Sequence, residues 1–141
     1  MALPNPVSQI ERAHVQPYTS ARLLSAERVS ERLAEIDRST LLGKRDYAML
    51  AVALQTGRRA SELRLLSFGD LEVEHGHMTV TWRRTKGGKV MYDVLADGPR
   101  DALLDWLSSF YRETPSNDAP VFASVSRRNR GARLICWHTL P

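Results

Sequence analysis

The chain has 141 residues, of which 43% are hydrophobic and 26% charged, a balance typical of one globular domain. No apolar run approaches the roughly 20 residues of a membrane-spanning helix, and the N-terminus lacks the basic start and apolar stretch of a secretory signal. A single cysteine, Cys136, cannot form an internal disulfide. We therefore expect a cytoplasmic protein that is not bound to a membrane.

The basic side chains are mostly of one kind. Of the 20 Lys and Arg residues, three are lysines, which leaves 17 arginines in a chain of net charge +4. The planar guanidinium of arginine suits phosphate oxygens, so this composition favours a nucleic-acid partner. A preference for arginine codons in a genome rich in G and C explains the same composition equally well.

The N-terminal part combines a leader with a first helix. Residues 1–20 are predicted to form an extended leader or linker, because three prolines interrupt them and no helical period persists. Ser25 is predicted to cap a helix that extends to about Arg38. The apolar residues of this helix recur on one face: Val29, Leu33 and Ile36.

Two further helices are predicted around a glycine. Residues 44–56 form a helix whose centre is apolar almost all round, which indicates that the helix is buried. Gly57 lies just past its end, where a left-handed residue commonly terminates a helix. A short third helix is predicted at about residues 60–66.

The pattern then changes from a helical to an alternating period. Segments 71–73, 78–82 and 90–94 are short and rich in β-branched and aromatic residues. Turns at 74–77 and 84–88 separate them, so they are predicted to form a three-stranded antiparallel meander. The result is an α+β fold that is mainly helical and occupies residues 21–141 as one domain.

The last predicted helix follows the meander. Asp97 is expected to cap it, and Pro99 suits its first turn. One face of this helix is apolar and comprises Leu103, Trp106, Leu107 and Phe110. From Thr114 the chain is predicted to be loop-like, with an apolar anchor at Val121 and Phe122.

Three segments around the second and third helices carry a specific pattern. Residues 43–50 are Gly-Lys-Arg-Asp-Tyr-Ala-Met-Leu, residues 56–63 are Thr-Gly-Arg-Arg-Ala-Ser-Glu-Leu, and Asp70 precedes the first predicted strand. In this order, within about 30 residues, they resemble the tyrosine recombinase (phage integrase) family, which has G-x-R-D-x-A-x-L, T-G-x-R-x-x-E-L and then an Asp. The resemblance covers about residues 22–122 and implies the N-terminal half of a recombinase catalytic domain.

The resemblance also implies the residues of a DNA-cleaving site. In this family a tyrosine attacks a DNA phosphodiester, and arginines stabilise the pentacoordinate transition state. Arg59 matches the first of these arginines and Glu62 the acidic residue that orients it, whereas Arg58 is interpreted as a variable position. Lys86 matches the lysine that protonates the leaving 5′ oxygen, with Lys89 as the competing candidate. The alternative for each is an ordinary surface side chain.

The resemblance ends near the C-terminus. The family continues with an H-x-x-R element, a further His or Trp, and a late nucleophilic tyrosine. His138 resembles the start of that element, but Pro141 stands at the place of the second arginine, and chance explains His138 equally well. None of the four tyrosines follows such an element: Tyr18, Tyr47, Tyr92 and Tyr111. We therefore expect a truncated catalytic domain that does not cleave DNA on its own.

Double-stranded DNA is the partner that the resemblance implies. Phosphates are expected to be contacted by Arg59, Lys86 and further basic residues, including those of the loop at 127–133: Arg83, Arg84, Lys89, Arg127, Arg128 and Arg130. Other recombinase protomers are a further expected partner, whereas no small-molecule substrate or cofactor is expected. The alternative function is a non-enzymatic module that binds DNA or docks on an intact recombinase.

A metal site and a helix-turn-helix fold are both less consistent with the sequence. A zinc site is disfavoured because its candidate ligands have no common ligand spacing: His75, His77, Cys136 and His138. No metal is therefore expected. A helix-turn-helix regulator would explain the helices at 44–56 and 60–66, but the meander after them does not belong to that motif.

Overall fold

The computed structural model describes residues 24–83, 85 and 87–134. Within these residues the elements in chain order are α1 (Ala26–Ala34), α2 (Leu41–Thr56), α3 (Ala60–Leu65), the 3-10 helix Phe68–Asp70, β1 (Leu71–Glu74), β2 (His77–Trp82), β3 (Met91–Leu95) and α4 (Asp97–Phe110). The predicted α+β class is confirmed. None of the described helices has the length and apolar character that crossing a bilayer requires. The predicted leader lies outside the described residues.

The three strands form an antiparallel meander in the order β1-β2-β3, as predicted. His75 and Gly76 have φ angles of 50° and 81°, the left-handed pair that a tight two-residue hairpin favours. Val80 pairs with Leu71 of β1 on one side and with Asp93 of β3 on the other. Alternate residues of β2 are buried, so one face of the sheet packs on the core.

The core lies between that face of the sheet, α2, α4 and the segment after α4. Trp106 of α4 is fully buried, and its Nε1 donates a hydrogen bond of 2.8 Å to the Val121 carbonyl oxygen. Val121 and Phe122 are also fully buried, which confirms the predicted apolar anchor. The backbone N–H of Val121 bonds to the Leu66 carbonyl oxygen at 3.0 Å, so the anchor joins α4 to the end of α3.

Helix α1 is shorter than predicted. It ends at Ala34 rather than near Arg38, because Asp37 turns the chain away from the helical path. The Asp37 carboxylate accepts hydrogen bonds from the backbone N–H and the hydroxyl of Ser39, at 2.9 and 2.6 Å. The predicted N-cap of α1 is confirmed, since the Ser25 side chain accepts a hydrogen bond from the Arg28 N–H.

Helix α2 begins earlier than predicted and is buried on one side only. The Thr40 hydroxyl accepts from the Gly43 N–H at 3.0 Å and caps the helix. The expectation that α2 is buried all round is wrong, because α4 covers a single face and leaves an apolar stripe exposed: Leu42, Leu50 and Leu54. The left-handed C-cap at Gly57 is confirmed by its φ angle of 65°.

The start of α4 also differs from the prediction by one position. Asp97 is the first helical residue, and the N-cap is Ala96, which has no side-chain acceptor. The predicted buried face is confirmed by the positions of Leu103, Trp106 and Leu107. Propensity alone does not distinguish the cap from the next residue, because an Asp is favourable at both positions.

Candidate functional site

Arg59 is held at the N-terminus of α3 by a buried carboxylate. One oxygen of Glu62, Oε2, accepts from the Arg59 backbone N–H at 2.9 Å. The other, Oε1, lies 3.7 Å from Nη1 of the Arg59 guanidinium. The Glu62 side chain is 8% exposed and that of Arg59 65% exposed. The Glu62 carboxylate therefore restrains the backbone of Arg59, while the Arg59 guanidinium is exposed to solvent.

Arg58 has a different environment from its neighbour. Its Nε and Nη2 donate to Oδ2 of Asp93 at 3.0 and 2.8 Å. Its guanidinium carbon lies 5.3 Å from the centroid of the Trp82 ring. The interpretation of Arg58 as a variable position did not anticipate these contacts. The signal that was available is Asp93, which stands at a core-facing position of β3 between Met91 and Leu95, where a charge requires a partner.

Asp70 connects the turn before β1 to the end of β2. Its Oδ2 accepts from the Ser67 N–H at 3.0 Å, and its Oδ1 accepts from Nε of Arg83 at 2.7 Å. A cleft of about 260 Å³ lies between α3 and this end of β2, and its walls include Glu62, Asp70, Trp82 and Arg83. Arg83, a predicted phosphate contact, therefore lies on the same cleft as the residue that supports Arg59.

The connection between β2 and β3 is a glycine turn. The Thr85 hydroxyl donates to the Lys89 carbonyl oxygen, and the Gly88 N–H donates to the Thr85 carbonyl oxygen at 3.1 Å. Gly87 and Gly88 have φ angles of 93° and 71°, which only glycine adopts without strain. Lys89 is exposed. Two residues predicted to act in this turn, Arg84 and Lys86, lie outside the described residues.

A second loop presents basic side chains, and its ends are paired. The Ser124 N–H donates to the Ala132 carbonyl oxygen at 2.8 Å, and the Gly131 N–H donates to the Ser124 carbonyl oxygen at 2.9 Å. The Ser124 hydroxyl bonds to Oδ1 of Asn129 at 2.9 Å. The loop is therefore constrained, and it carries three exposed arginines: Arg127, Arg128 and Arg130. The guanidinium carbon of Arg130 lies 5.3 Å from the centroid of the Phe110 ring.

Arg133, next to this loop, faces inward. Its Nη1 donates to the carbonyl oxygens of Leu65 and Leu66, both at 3.1 Å. Its Nη2 donates to the Ser67 hydroxyl at 2.6 Å and to the Asp118 carbonyl oxygen at 3.1 Å. Through these bonds, the Arg133 guanidinium joins the loop to the end of α3. The prediction that the loop at 127–133 contacts phosphate included Arg133, because nothing in its neighbours along the chain sets it apart.

The three described tyrosines occupy ordinary structural positions. The Tyr111 hydroxyl donates to the Pro120 carbonyl oxygen at 2.7 Å. Burial raises the pKa of Tyr111, and the positive charge of Arg133 partly offsets that effect. The Tyr47 ring lies 4.4 Å below the Arg38 guanidinium carbon, and Tyr92 is exposed on the outer face of the sheet.

The candidate metal ligands lie at two places in the chain. His138, predicted by resemblance, and Cys136 lie outside the described residues. His75 and His77 stand at the hairpin between β1 and β2. Among residues 24–83, 85 and 87–134, no three His, Cys, Asp or Glu side chains are grouped so that they could hold a metal ion.

Known proteins resemble this chain over most of its length. The model of the phage integrase family matches residues 23–138. The putative integrase/recombinase y4rC of Sinorhizobium fredii is 36% identical over 134 residues, which cover 91% of this chain and 38% of that protein. Tyrosine recombinase XerC of Pseudomonas fluorescens is 32% identical over 114 residues, covering 81% of this chain and 37% of that protein.

Solved structures share the fold. The XerA recombinase superposes with a TM-score of 0.60 at 24% identity, over 96% of this chain and 43% of that chain. The XerH site-specific recombinase bound to its difH substrate also has a TM-score of 0.60, at 23% identity, over 79% of this chain and 32% of that chain. The chain thus spans less than half the length of the relatives named here. From the family match, we identify the chain as a member of the phage integrase family, the tyrosine recombinases.

Proposed function

We propose that this chain is the DNA-contacting part of a tyrosine recombinase that acts in site-specific recombination and integration. The observation that carries the proposal is the Arg59–Glu62 arrangement. A guanidinium that is 65% exposed stands at the start of α3, while the carboxylate beside it is 8% exposed. Such a restrained donor is suited to the non-bridging oxygens of a DNA phosphate.

Within this proposal the named side chains have distinct roles. Arg59 binds the scissile phosphate and stabilises the negative charge of the transition state. Glu62 orients Arg59 from behind. Lys86, by its match to the family lysine, protonates the leaving 5′ oxygen, and His138 is the proposed start of the next catalytic element. In comparable sites, the loss of one preorganised donor costs roughly 2.7–4 kcal/mol.

A wider set of cations is proposed to hold the DNA backbone. The exposed guanidiniums of the 124–132 loop and the exposed Lys89 support this proposal, and Arg83 lies at the cleft beside Glu62. Arg84 completes the set on sequence grounds. About four to six phosphate contacts would lower the logarithm of the binding constant by about 0.9 per contact for each tenfold rise in salt.

We also propose that the 141 residues by themselves do not cleave DNA. Tyr111 donates its hydroxyl to a backbone carbonyl, and burial raises rather than lowers its pKa. An ordinary tyrosine hydroxyl has a pKa near 10 and needs an activating neighbour to attack phosphorus. Tyr92 is exposed on the outer face of the sheet, and its pairing partner on β2 is Thr81.

The proposal is tested by the affinity for duplex DNA as a function of salt. The Arg59→Ala variant is compared with Arg32→Ala, since Arg32 also pairs with a glutamate three residues later, and its side chain is 78% exposed. Both substitutions remove one charge. We expect Arg59→Ala to weaken binding by about tenfold or more and Arg32→Ala to change it little. Equal effects, or binding that is insensitive to salt, would contradict the proposal.

Cleavage is tested separately with a nicked duplex that traps covalent intermediates. We expect no protein band of raised mass on a denaturing gel after incubation of the 141-residue chain with this substrate. A covalent protein–DNA adduct would contradict the proposed inactivity of the isolated chain. Substitution of each tyrosine by phenylalanine would then identify the nucleophile.

A docking function on another recombinase is the second candidate. Leu50 and Leu54 are exposed one helical turn apart on α2, and Gln55 beside them bonds to the backbone of β3 at the Val94 carbonyl oxygen. Exposed apolar side chains grouped in this way commonly mark a protein contact. Light scattering of the chain mixed with a full-length XerC-type recombinase tests this candidate, and a purely monomeric profile would count against it.

A further inference from the structure

Arg58 and Asp93 form a partly buried ion pair beside the core residue Trp82. Their side chains are 12% and 29% exposed. Two Arg58 nitrogens, Nε and Nη2, donate to the same carboxylate oxygen of Asp93, and Nη1 donates to the sulfur of Met91 at 3.3 Å. The guanidinium also stacks over Trp82. Contacts with Asp93, Met91 and Trp82 therefore hold the Arg58 side chain in one conformation.

The position of this pair in the chain connects the α2–α3 junction to the sheet. Arg58 stands between Gly57, the C-cap of α2 with a left-handed φ angle, and Arg59, the N-cap of α3. A glycine can adopt more backbone conformations than any other residue, so it restricts the direction of the following chain less. The pair fixes the residue after this point to strand β3, so the direction in which Arg59 leaves the junction depends on the sheet.

In the sequence, Lys86 and the glycine turn come shortly before strand β3. Met91 is its first residue, and Lys89, just before it, is joined to Thr85 across the turn. The Arg58 side chain contacts both Met91 and Asp93. One guanidinium therefore links the junction that carries Arg59 with the strand that anchors one end of the turn.

We propose that Arg58 is a positioning residue, whose ion pair with Asp93 fixes the α2–α3 junction relative to β3 so that Arg59 is held ready for phosphate. This inference rests on the proposed function in one respect, namely that Arg59 contacts phosphate. An ion pair that is partly removed from water contributes little net stability compared with an apolar pair of similar size. Orientation, rather than stability, is then the property that the pair supplies.

The first test is hydrogen exchange of backbone amides and of the Trp106 indole N–H in the full 141-residue chain. Asp93→Asn keeps the shape of the side chain and removes the charge. We expect exchange at the Arg59 N–H and the Gly88 N–H to accelerate about tenfold or more, while the Trp106 indole N–H is unchanged. The matched control is Asp105→Asn. It removes the ion pair of 2.7 Å that joins Asp105 of α4 to Lys44 of α2, and it should leave exchange at the Arg59 N–H unchanged.

A merely structural role predicts a different pattern. If the pair only stabilised the fold, exchange would accelerate uniformly, including at Trp106, and this result would overturn the inference. No acceleration at Arg59 would overturn it as well. The double variant Arg58→Met with Asp93→Val separates the two roles further. We expect this apolar pair to retain the unfolding midpoint while the local acceleration at Arg59 persists.

The second test asks whether the pair acts through Arg59 on DNA. Arg59→Ala is introduced into the wild type and into Asp93→Asn, and the affinity for duplex DNA is measured in all four proteins. We expect the loss caused by Arg59→Ala to be at least about threefold smaller in the Asp93→Asn background. Identical losses in both backgrounds would overturn the inference. If Arg59→Ala does not weaken binding at all, the proposed phosphate contact fails, whereas the exchange experiment still decides whether Arg58 positions the junction.

Discussion

Arg83 and Asp70 form an ion pair at the point where β2 ends, with Nε of Arg83 2.7 Å from Oδ1 of Asp70. The Arg83 side chain is 61% exposed, whereas that of Asp70 is 13% exposed. The other oxygen of Asp70 is bonded to the Ser67 N–H. Asp70 therefore anchors the beginning of the turn between β2 and β3, and it also neutralises part of the charge that Arg83 would offer to DNA.

Replacement of Asp70 by Asn is expected to strengthen the contribution of Arg83 to DNA binding. Without the carboxylate, the Arg83 guanidinium is free to neutralise a phosphate. The slope of log affinity against log salt should become steeper by up to about 0.9, as measured by fluorescence anisotropy of a labelled duplex. Asp118→Asn removes the same charge from the wall of the same cleft and is the control. Equal slopes for the two variants would show that Arg83 is not a phosphate contact.

Replacement of Gly57 by Ala is expected to destabilise the fold by about 1–2 kcal/mol. No atom beyond the neighbouring residues of the chain lies within 4 Å of the position that a β-carbon would occupy, so the cost comes from the left-handed φ angle of 65°. Gly98 has equally open space and lies in the first turn of α4. Gly98→Ala should therefore be neutral or stabilising by a few tenths of a kcal/mol. Urea denaturation of both variants tests the contrast, and equal effects would refute it.

Replacement of Arg133 by Met is expected to lower the free energy of unfolding by about 2–3 kcal/mol. The substitution removes the donors to the Leu65 carbonyl oxygen, to the Ser67 hydroxyl and to the Asp118 carbonyl oxygen. Arg127→Met, in the exposed loop nearby, is the matched control and should change stability by no more than about 0.5 kcal/mol. Chemical denaturation measures both. A similar loss in the two variants would mean that the Arg133 bonds contribute no specific stability.

Replacement of Tyr111 by Phe is expected to give a stability difference that depends on pH. The variant loses a hydrogen bond to the Pro120 carbonyl oxygen, at a cost of about 1 kcal/mol near neutral pH. Because burial raises the pKa of Tyr111 in the folded state, the folded protein binds this proton more tightly than the unfolded chain. The associated stability is fully present below the unfolded pKa of about 10 and is lost as the pH rises through the folded value.

The difference between wild type and Tyr111→Phe should accordingly be constant from about pH 7 to 9 and shrink above about pH 10. Denaturation midpoints across this range, with the variant as internal reference for the titration of lysines, measure it. A difference that grows with pH would mean that burial does not control the ionisation of Tyr111.

Several features were predictable from sequence because they depend on residues close together along the chain. The hairpin at His75 and Gly76, the C-cap at Gly57 and the alternation of β2 are local, and the structure confirms each of them. Helix boundaries were predicted less well, since Thr40 and Asp37 act through side-chain hydrogen bonds that compete with helical propensity. The burial of α2 was overestimated because hydrophobic composition does not reveal which faces a neighbouring helix covers.

The sequence by itself determined the α+β class, the meander and the family motif around Arg59. It did not show which arginines have partners inside the fold, and only the tertiary structure decided that Arg58 and Arg133 face inward while Arg127 and Arg128 are exposed. The reason is distance along the chain. Arg58 meets Asp93 across 35 residues, and Arg133 meets Leu66 across 67, so their partners are brought to them only when the sheet and α4 pack into one core.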